Sequence, residues 1–208
     1  MAALSFLRPV AARLLDPLLA AIRRVSLYCA WAGGAIFFAA ALLVTFEVFI
    51  RKLLSMSVGG ADELSGYGFA IATTFAFSYA ALERTHIRVD TPRNYCSAPV
   101  QALLDVLAAL LLLAYFALLM TYGWRVVTDT WDLGAHSNTS LRTPLIFPQA
   151  AWWLGLLLSV VTSSLLLMRA LVHIVLGELD ESNALIGTRG LEEEISEELR
   201  SLEQRLPP

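Results

Sequence analysis

Residues Val25 to Phe46 read VSLYCAWAGGAIFFAAALLVTF, a run of 22 positions without a charged side chain. At about 1.5 Å of rise per residue, a helix of this length crosses the roughly 30 Å hydrocarbon core of a bilayer. Three more uncharged runs of similar length follow, from Leu64 to Leu82, from Val106 to Trp124 and from Thr143 to Met168. The sequence therefore predicts four transmembrane helices.

The composition supports an all-α integral membrane protein. Apolar residues make up 57% of the 208 positions, and the four runs are apolar on all sides. In lipid such runs satisfy their backbone polar groups as helices, whereas a transmembrane barrel would show alternating segments of about ten residues, which are absent here. The connections are too short for a soluble domain. We therefore expect no enzyme active site, no cofactor or metal, and no nucleic-acid partner.

We divide the chain into a basic N-terminal arm (1–24), a four-helix transmembrane domain (25–176) and an acidic C-terminal arm (177–208). The N-terminal arm is amphipathic, and Pro9 and Pro17 favour two short helices over a single one. A partly disordered arm is the alternative. The C-terminal arm holds nine acidic residues and three arginines. Its leucines and isoleucine recur at helical spacing, which fits either a docking face or a solvated, frayed helix.

The distribution of basic residues predicts that both termini are cytoplasmic. Eight arginines fall in the N-terminal arm, in the second connection and after the fourth run, whereas four basic residues fall on the opposite side. Positive charge is retained on the cytoplasmic side of a membrane. A cleaved signal peptide is the rival interpretation, but the first run is too long and no small-x-small cleavage site follows it. The eight are Arg8, Arg13, Arg23, Arg24, Arg84, Arg88, Arg93 and Arg169, and the four are Arg51, Lys52, Arg125 and Arg142.

Charged residues near the outer ends of the runs are candidates for contacts. Glu47 precedes Arg51 by four positions, which places both on one helix face in the order that favours an ion pair. A structural pair is the leading interpretation and a transport role is the alternative. Asp62 and Glu63 follow two glycines and open the second run, where acidic side chains interact well with the helix dipole. Capping explains both acids, and contact with a soluble partner is the alternative.

Five further residues lie at positions that suggest a structural, anchoring or subunit-contact role. Asp105 lies inside an apolar segment, where an unpaired charge is unfavourable, so we expect it to face protein or water. We favour packing or a subunit contact over proton or sodium coupling. Arg88 and Asp90 fall in the second connection, where they can pair with each other or with another subunit, and a solvated loop is the alternative. Trp152 and Trp153 suit an interfacial belt that anchors the fourth run.

Cysteine and histidine positions argue against redox chemistry in this chain. Cys29 and Cys96 both fall near the cytoplasmic face, so we expect no structural disulfide. Neither belongs to a C-x-x-C motif, which argues against a membrane thiol oxidoreductase. Bis-histidine haem ligation needs histidines inside the bundle, whereas these lie in connections or at the end of a run. The three histidines are His86, His136 and His173.

Four motifs, in their order along the chain, resemble one family. The chain is similar to the small permease subunit of tripartite ATP-independent periplasmic (TRAP) transporters, over roughly Glu47 to Gly155. No single motif is diagnostic, and the order of all four along four runs carries the resemblance. The motifs are Glu47 with Arg51, Ala61-Asp62-Glu63-Leu64, Ile87-Arg88-Val89-Asp90, and Leu141-Arg142-Thr143-Pro144-Leu145 with Pro148-Gln149.

The resemblance implies a multi-pass protein of the bacterial inner membrane that binds a larger permease subunit. A soluble periplasmic receptor would deliver an organic acid, and an ion gradient would drive uptake through the large subunit. The small subunit would be a non-catalytic scaffold that contributes outer surface. Some family members carry a tryptophan where this chain has Ala61, and the acidic arm lies outside the family pattern. The candidates carried over to the outer partner surface are Glu47, Arg51, Asp62, Glu63 and Arg142, while Arg88 and Asp90 belong to the cytoplasmic connection.

Two other classes of function stay open from the residues alone. A small exporter that works without partners would use a membrane carboxylate such as Asp105 or Glu47 for proton exchange. A membrane anchor of a redox complex would bind haem, which the positions of the histidines disfavour.

Overall fold

The computed structural model contains five helices among the residues that it describes. It describes residues 2–57, 59–85, 96–177, 179–187 and 199, apart from the side chains of 2–12, 14, 179, 180, 183 and 184. Within this part of the chain there is no strand. The helices are α1 (Ala2–Leu54), α2 (Ala61–Leu82), α3 (Ala98–Leu133), α4 (Ile146–Leu176) and α5 (Leu179–Ile186).

Three helices are long and apolar enough to cross a membrane: the part of α1 from Leu15 to Leu54, α3 and α4. The 22 residues of α2 extend over about 33 Å. However, α2 begins with Asp62 and Glu63, and its body mixes Gly, Ser and Thr with apolar residues, which lowers its hydropathy. The all-α class is therefore confirmed, and three of the four expected spans correspond to helices of sufficient length and apolarity.

α4 is the centre of the bundle. It contacts α1, α2, α3 and α5, while α2 lies between α1 and α4. Small residues permit close approach at these contacts: a Cβ added to Gly155 of α4 would lie 2.5 Å from the Thr74 hydroxyl of α2. α1 and α3 each have one side without a packed neighbour among the described helices, with exposed side chains such as Trp31, Phe38, Leu103 and Leu111. These outward faces are apolar enough to contact either lipid or another protein within a membrane.

The expectation of two short helices in the N-terminal arm is wrong. α1 is continuous for 53 residues and passes through Pro9 and Pro17. A proline removes one amide donor from a helix, but contacts elsewhere can hold the helix together. Leu15 is buried, and Leu19 packs against the buried cluster at the ends of α2 and α4. This packing holds the helix to the bundle on both sides of Pro17.

The beginning of the C-terminal arm folds back onto the bundle. Gly177 adopts a left-handed conformation (φ +80°) that ends α4, and α5 then packs against α3 and α4. Ser182 and Ile186 of α5 are buried. The apolar stripe predicted farther along this arm lies outside the described residues, except Leu199, whose side chain is exposed.

Candidate functional site

Two connections meet at one end of the bundle, which we call the loop end. They are residues 55–60 between α1 and α2 and residues 134–145 between α3 and α4. Gly60 has φ +92°, and a Cβ there would lie 2.3 Å from Cδ1 of Leu141. Gly59 has φ +68°, and its Cβ would lie 3.0 Å from Oγ of Ser140. Glycine at both positions therefore lets the second connection cover the first.

Glu63 joins α2 to the second connection. The Thr139 hydroxyl donates a hydrogen bond to Oε2 of Glu63, and the Tyr67 hydroxyl donates to Oε1 at 2.9 Å. Hydrogen bonding from Thr139 above all, with smaller contributions from Thr143, Tyr67 and Ser137, lowers the pKa of Glu63 to about 2. The carboxylate is therefore ionised at neutral pH and holds residues 134–145 against the start of α2.

Residues 134–145 are also held by their own hydrogen bonds. The Ser137 amide donates to the Thr143 carbonyl at 2.9 Å, and the Thr143 amide donates back to the Ser137 hydroxyl at 3.0 Å. The Leu145 amide donates to the Ala135 carbonyl at 3.1 Å. Arg142 lies in this loop with φ +46° and an exposed side chain. The connection therefore presents Arg142 from a defined backbone.

Glu47 and Arg51 form the ion pair that their spacing predicts. Nη2 of Arg51 lies 2.8 Å from Oε1 of Glu47, and the Ser57 hydroxyl donates to the same oxygen at 2.6 Å. The Glu47 side chain is 3% exposed and that of Arg51 is 59% exposed. Glu47 therefore joins the end of α1 to the first connection, and Arg51 carries the charge that reaches the surface. Ser57 could not be identified beforehand, because a serine in a turn has no distinguishing pattern.

The predicted outer residues thus divide into two groups. Arg51, Asp62 and Arg142 have exposed side chains at the loop end. Glu47 is buried and Glu63 half-buried, and both bind neighbouring hydroxyl groups of this chain. The loop end accordingly presents exposed charges of both signs beside one buried and one half-buried carboxylate, each of which binds a hydroxyl group of a connection.

Asp105 lies away from the loop end. It is 2% exposed and stands one helical turn before Ala109, which packs with Ala81 and Leu166 near the ends of α2 and α4. The structure therefore places Asp105 inside this chain, toward the end opposite the loop end. Its proposed packing or subunit-contact role stays a prediction, and so does that of Arg88 and Asp90, which lie outside the described residues.

Trp152 and Trp153 pack between α4 and α3. Nε1 of Trp153 donates to the Met120 carbonyl at 2.9 Å, and its ring centroid lies 4.9 Å from that of Trp124. A Cβ at Gly123 would lie 3.0 Å from the Trp152 ring. Both tryptophans are half-buried, so they join two helices in addition to any anchoring at the interface. Gly123, which makes room for them, was not identified from the sequence.

The opposite end is joined by ion pairs that sequence reasoning missed. Arg23 pairs with Glu83 at 2.8 Å, and Asp16 pairs with Arg169 at 2.9 Å. In addition, Nδ1 of the buried His173 lies 2.9 Å from Oε2 of Glu181 on α5. Each of these pairs joins two different segments of the chain, so no local sequence pattern predicts it. Within the described part of the chain, no group of three or more His, Cys, Asp or Glu residues is arranged to hold a metal ion.

Comparison with known proteins gives one match. The family model for the DctQ component of tripartite ATP-independent periplasmic transporters matches residues 40–176, which include α2, α3, α4 and all of the loop-end residues described above. No curated protein and no solved structure matches the chain. Since the matched region covers well over half of the 208 residues, the chain belongs to the DctQ family of TRAP transporter components.

Proposed function

We propose that this chain is the small membrane subunit of a TRAP transporter and acts as a non-catalytic scaffold for the large permease. In this role it takes part in ion-gradient-driven uptake of an organic acid that a periplasmic receptor delivers. The family match over residues 40–176 carries the proposal. The substrate and ion sites would lie on the large subunit, so this chain contributes packing surface and contacts.

The arrangement of the helices supports a large membrane partner. α4 lies at the centre of the bundle, whereas α1 and α3 each have an outward face rich in exposed aromatic and aliphatic side chains. An isolated bundle would expose both faces to lipid alone. A scaffold subunit would instead use part of this surface to bind the large permease.

We further propose four spans with both termini in the cytoplasm. α2 is long enough to cross the hydrocarbon core and lies between α1 and α4, so neighbouring helices cover much of its less apolar surface. The ion pairs of Arg23 with Glu83 and of Asp16 with Arg169 bring the N-terminal part of α1 and the ends of α2 and α4 together. The arginine-rich end of the bundle is then cytoplasmic, and the loop end is periplasmic.

The loop end is the surface that we assign to the receptor. Arg51, Asp62 and Arg142 are exposed there, and hydrogen bonds within residues 134–145 fix the loop that carries Arg142. Charged groups at a surface steer the encounter with a soluble partner and fix its orientation. The receptor surface should therefore complement these charges.

Isolation in mild detergent and reconstitution together test the proposal. The tagged chain should co-purify with the large permease, and uptake into proteoliposomes should require both chains, the receptor and an ion gradient. Uptake by this chain alone, or failure to co-purify, would overturn the scaffold role. A small exporter would lose transport in Glu47→Gln or Asp105→Asn without losing assembly, whereas a scaffold subunit has no transport of its own to lose.

A further inference from the structure

A small pocket lies where α2, α3, α4 and α5 meet, at the end opposite the loop end. Its volume is about 30 Å³, and its wall includes Ala81 of α2, Ala109 of α3 and the α5 residues Leu185 and Ile186. A cavity needs a volume of about 10 to 15 Å³ to hold one water molecule. The pocket therefore has room for one or two water molecules.

The polar side chains in the wall of this pocket are those of Ser163 and Arg84. Ser163 is 5% exposed, and its hydroxyl makes no hydrogen bond within the described residues. A hydroxyl on a membrane helix usually donates to the carbonyl four residues earlier, as Ser159 does to Gly155 at 2.9 Å. A buried polar group without a partner destabilises a protein, so a partner for the Ser163 hydroxyl inside the pocket would stabilise the bundle.

The last turn of α2 supplies further polar groups beside the pocket. Arg84 has φ +54° just after this helix, and its amide reaches the Ala81 carbonyl only at 3.3 Å. A carbonyl oxygen has two lone pairs, so the Ala81 carbonyl can accept a second hydrogen bond besides the long one from Arg84. Ser163, Arg84 and Ala81 all line the pocket, and a hydroxyl, a guanidinium and a carbonyl can supply the two to four hydrogen bonds that hold a buried water.

We propose that this pocket binds an ordered water molecule that joins the Ser163 hydroxyl of α4 to the end of α2. The water accepts from Arg84 or Ser163 and donates to the Ala81 carbonyl, so it replaces a direct contact between the two helices. Leu185 and Ile186 cover it from the side of α5. The docking of α5 and the hydration of the core are thereby linked, a connection that does not depend on the transport role.

A density map of the full chain in its complex tests the proposal directly. At a resolution that shows waters elsewhere in the protein, a peak should lie about 2.6 to 3.2 Å from Oγ of Ser163. Ser163→Ala should remove this peak and lower the midpoint of thermal unfolding by about 2 to 4 °C. Ser163→Thr keeps the hydroxyl and should retain the peak.

Thr162 provides the matched control. Its hydroxyl is also buried and without a partner among the described residues, but Thr162 does not line the pocket. Thr162→Val, which removes the hydroxyl at nearly constant volume, should not lower the midpoint and should leave the peak beside Ser163 unchanged. An empty pocket in the native map, or a Ser163→Ala variant as stable as the native chain, would overturn the proposal. Equal losses in Ser163→Ala and Thr162→Val would do the same, because they would show no special role for the pocket.

Discussion

Nη2 of Arg169 lies 2.9 Å from Oδ1 of Asp16, so the end of α4 is bound to the N-terminal part of α1. The Arg169 side chain is only 17% exposed, whereas that of Asp16 is 50% exposed. Leu15, the residue before Asp16, is itself buried. The basic N-terminal arm is therefore joined to the bundle by both a charge pair and an apolar contact.

Removal of either exposed partner, Asp16 or Arg23, should destabilise the bundle. Asp16→Ala leaves the Arg169 guanidinium, whose side chain is 17% exposed, without this carboxylate, which should lower the free energy of unfolding by about 1 to 3 kcal/mol. Arg23→Ala leaves the Glu83 carboxylate, whose side chain is 18% exposed, without this arginine, so we expect a loss in the same range. Thermal unfolding in mild detergent measures both. No loss in either variant would show that burial of the remaining partner does not determine the strength of these pairs.

The arrangement of helices was predictable where hydrophobic runs determine it. The runs that begin at Val25, Val106 and Thr143 lie in or overlap helices apolar enough to span a membrane, because lipid requires an uninterrupted apolar segment. The N-terminal arm was predicted wrongly. Proline is a local signal for a helix break, yet α1 continues through Pro9 and Pro17, and the burial of Leu15 is a tertiary contact that sequence periodicity cannot reveal.

The candidate site was predictable where spacing along one helix brings two side chains together. Glu47 and Arg51 are four residues apart, and they pair as expected. The bond from Thr139 to Glu63 joins residues 76 positions apart and depends on a connection whose shape the sequence does not specify. Asp62 and Glu63 are adjacent acids that the sequence alone does not distinguish, and only the structure shows that one is exposed and the other holds a loop.

Gly155→Ala should weaken the packing of α4 against α2. The new methyl group would lie 2.5 Å from Oγ1 and 2.7 Å from Cβ of Thr74, so one helix must shift. Overpacking of this kind destabilises a protein by about 1 to 3 kcal/mol. Gly34→Ala is the control, because no atom lies within 4 Å of its added Cβ, and it should leave the thermal midpoint unchanged or slightly higher. A lower midpoint for Gly34→Ala than for Gly155→Ala would contradict this account.

Hydrogen bonds to Glu63 should make the stability of the loop end depend on pH. The folded state lowers the pKa of Glu63 from 4.5 to about 2, so ionised Glu63 favours folding. This contribution is fully present above about pH 4.5 and is lost as the pH falls toward 2. Glu63→Gln should therefore have a lower thermal midpoint than the native chain at pH 7, and the difference should shrink between pH 4.5 and pH 2.

Asp62→Asn is the matched control for this pH dependence, because Asp62 is the neighbouring acid but has an exposed side chain. Its midpoint should follow that of the native chain across the same pH range. Thr139→Ala, which removes the first donor to Glu63, should reproduce part of the Glu63→Gln effect. A difference between native and Glu63→Gln that stays constant down to pH 2 would rule out the proposed role of the ionised carboxylate.

Thiol labelling in intact cells should report the orientation of the bundle. In a Cys29→Ser background, the half-buried Cys96 at the start of α3 should react only with reagent that enters the cytoplasm. With both native cysteines replaced by serine, Ser140→Cys at the exposed loop end should react with an impermeant reagent from outside. The reverse pattern would place the loop end in the cytoplasm and would exclude it as the receptor surface.

Charge reversal at Arg142 should weaken binding of the periplasmic receptor to the assembled transporter. Arg142→Glu changes an exposed charge at the loop end by two units, and rim charges act mainly on the association rate. We expect a slower association, by about threefold to tenfold at low salt, with a smaller difference at high salt. Residue 142 has a left-handed backbone (φ +46°), which strains arginine and glutamate to a similar extent, so the substitution should affect folding little.

Arg13→Glu controls for the change in total charge, since Arg13 is also exposed but lies on the N-terminal part of α1, at the end opposite the loop end. Surface plasmon resonance with the complex in lipid nanodiscs would measure both variants at two salt concentrations. If the loop end is the receptor surface, only Arg142→Glu slows association. Equal effects of the two variants would instead indicate a response to net charge, and no effect of either would show that Arg142 makes no contribution to receptor binding.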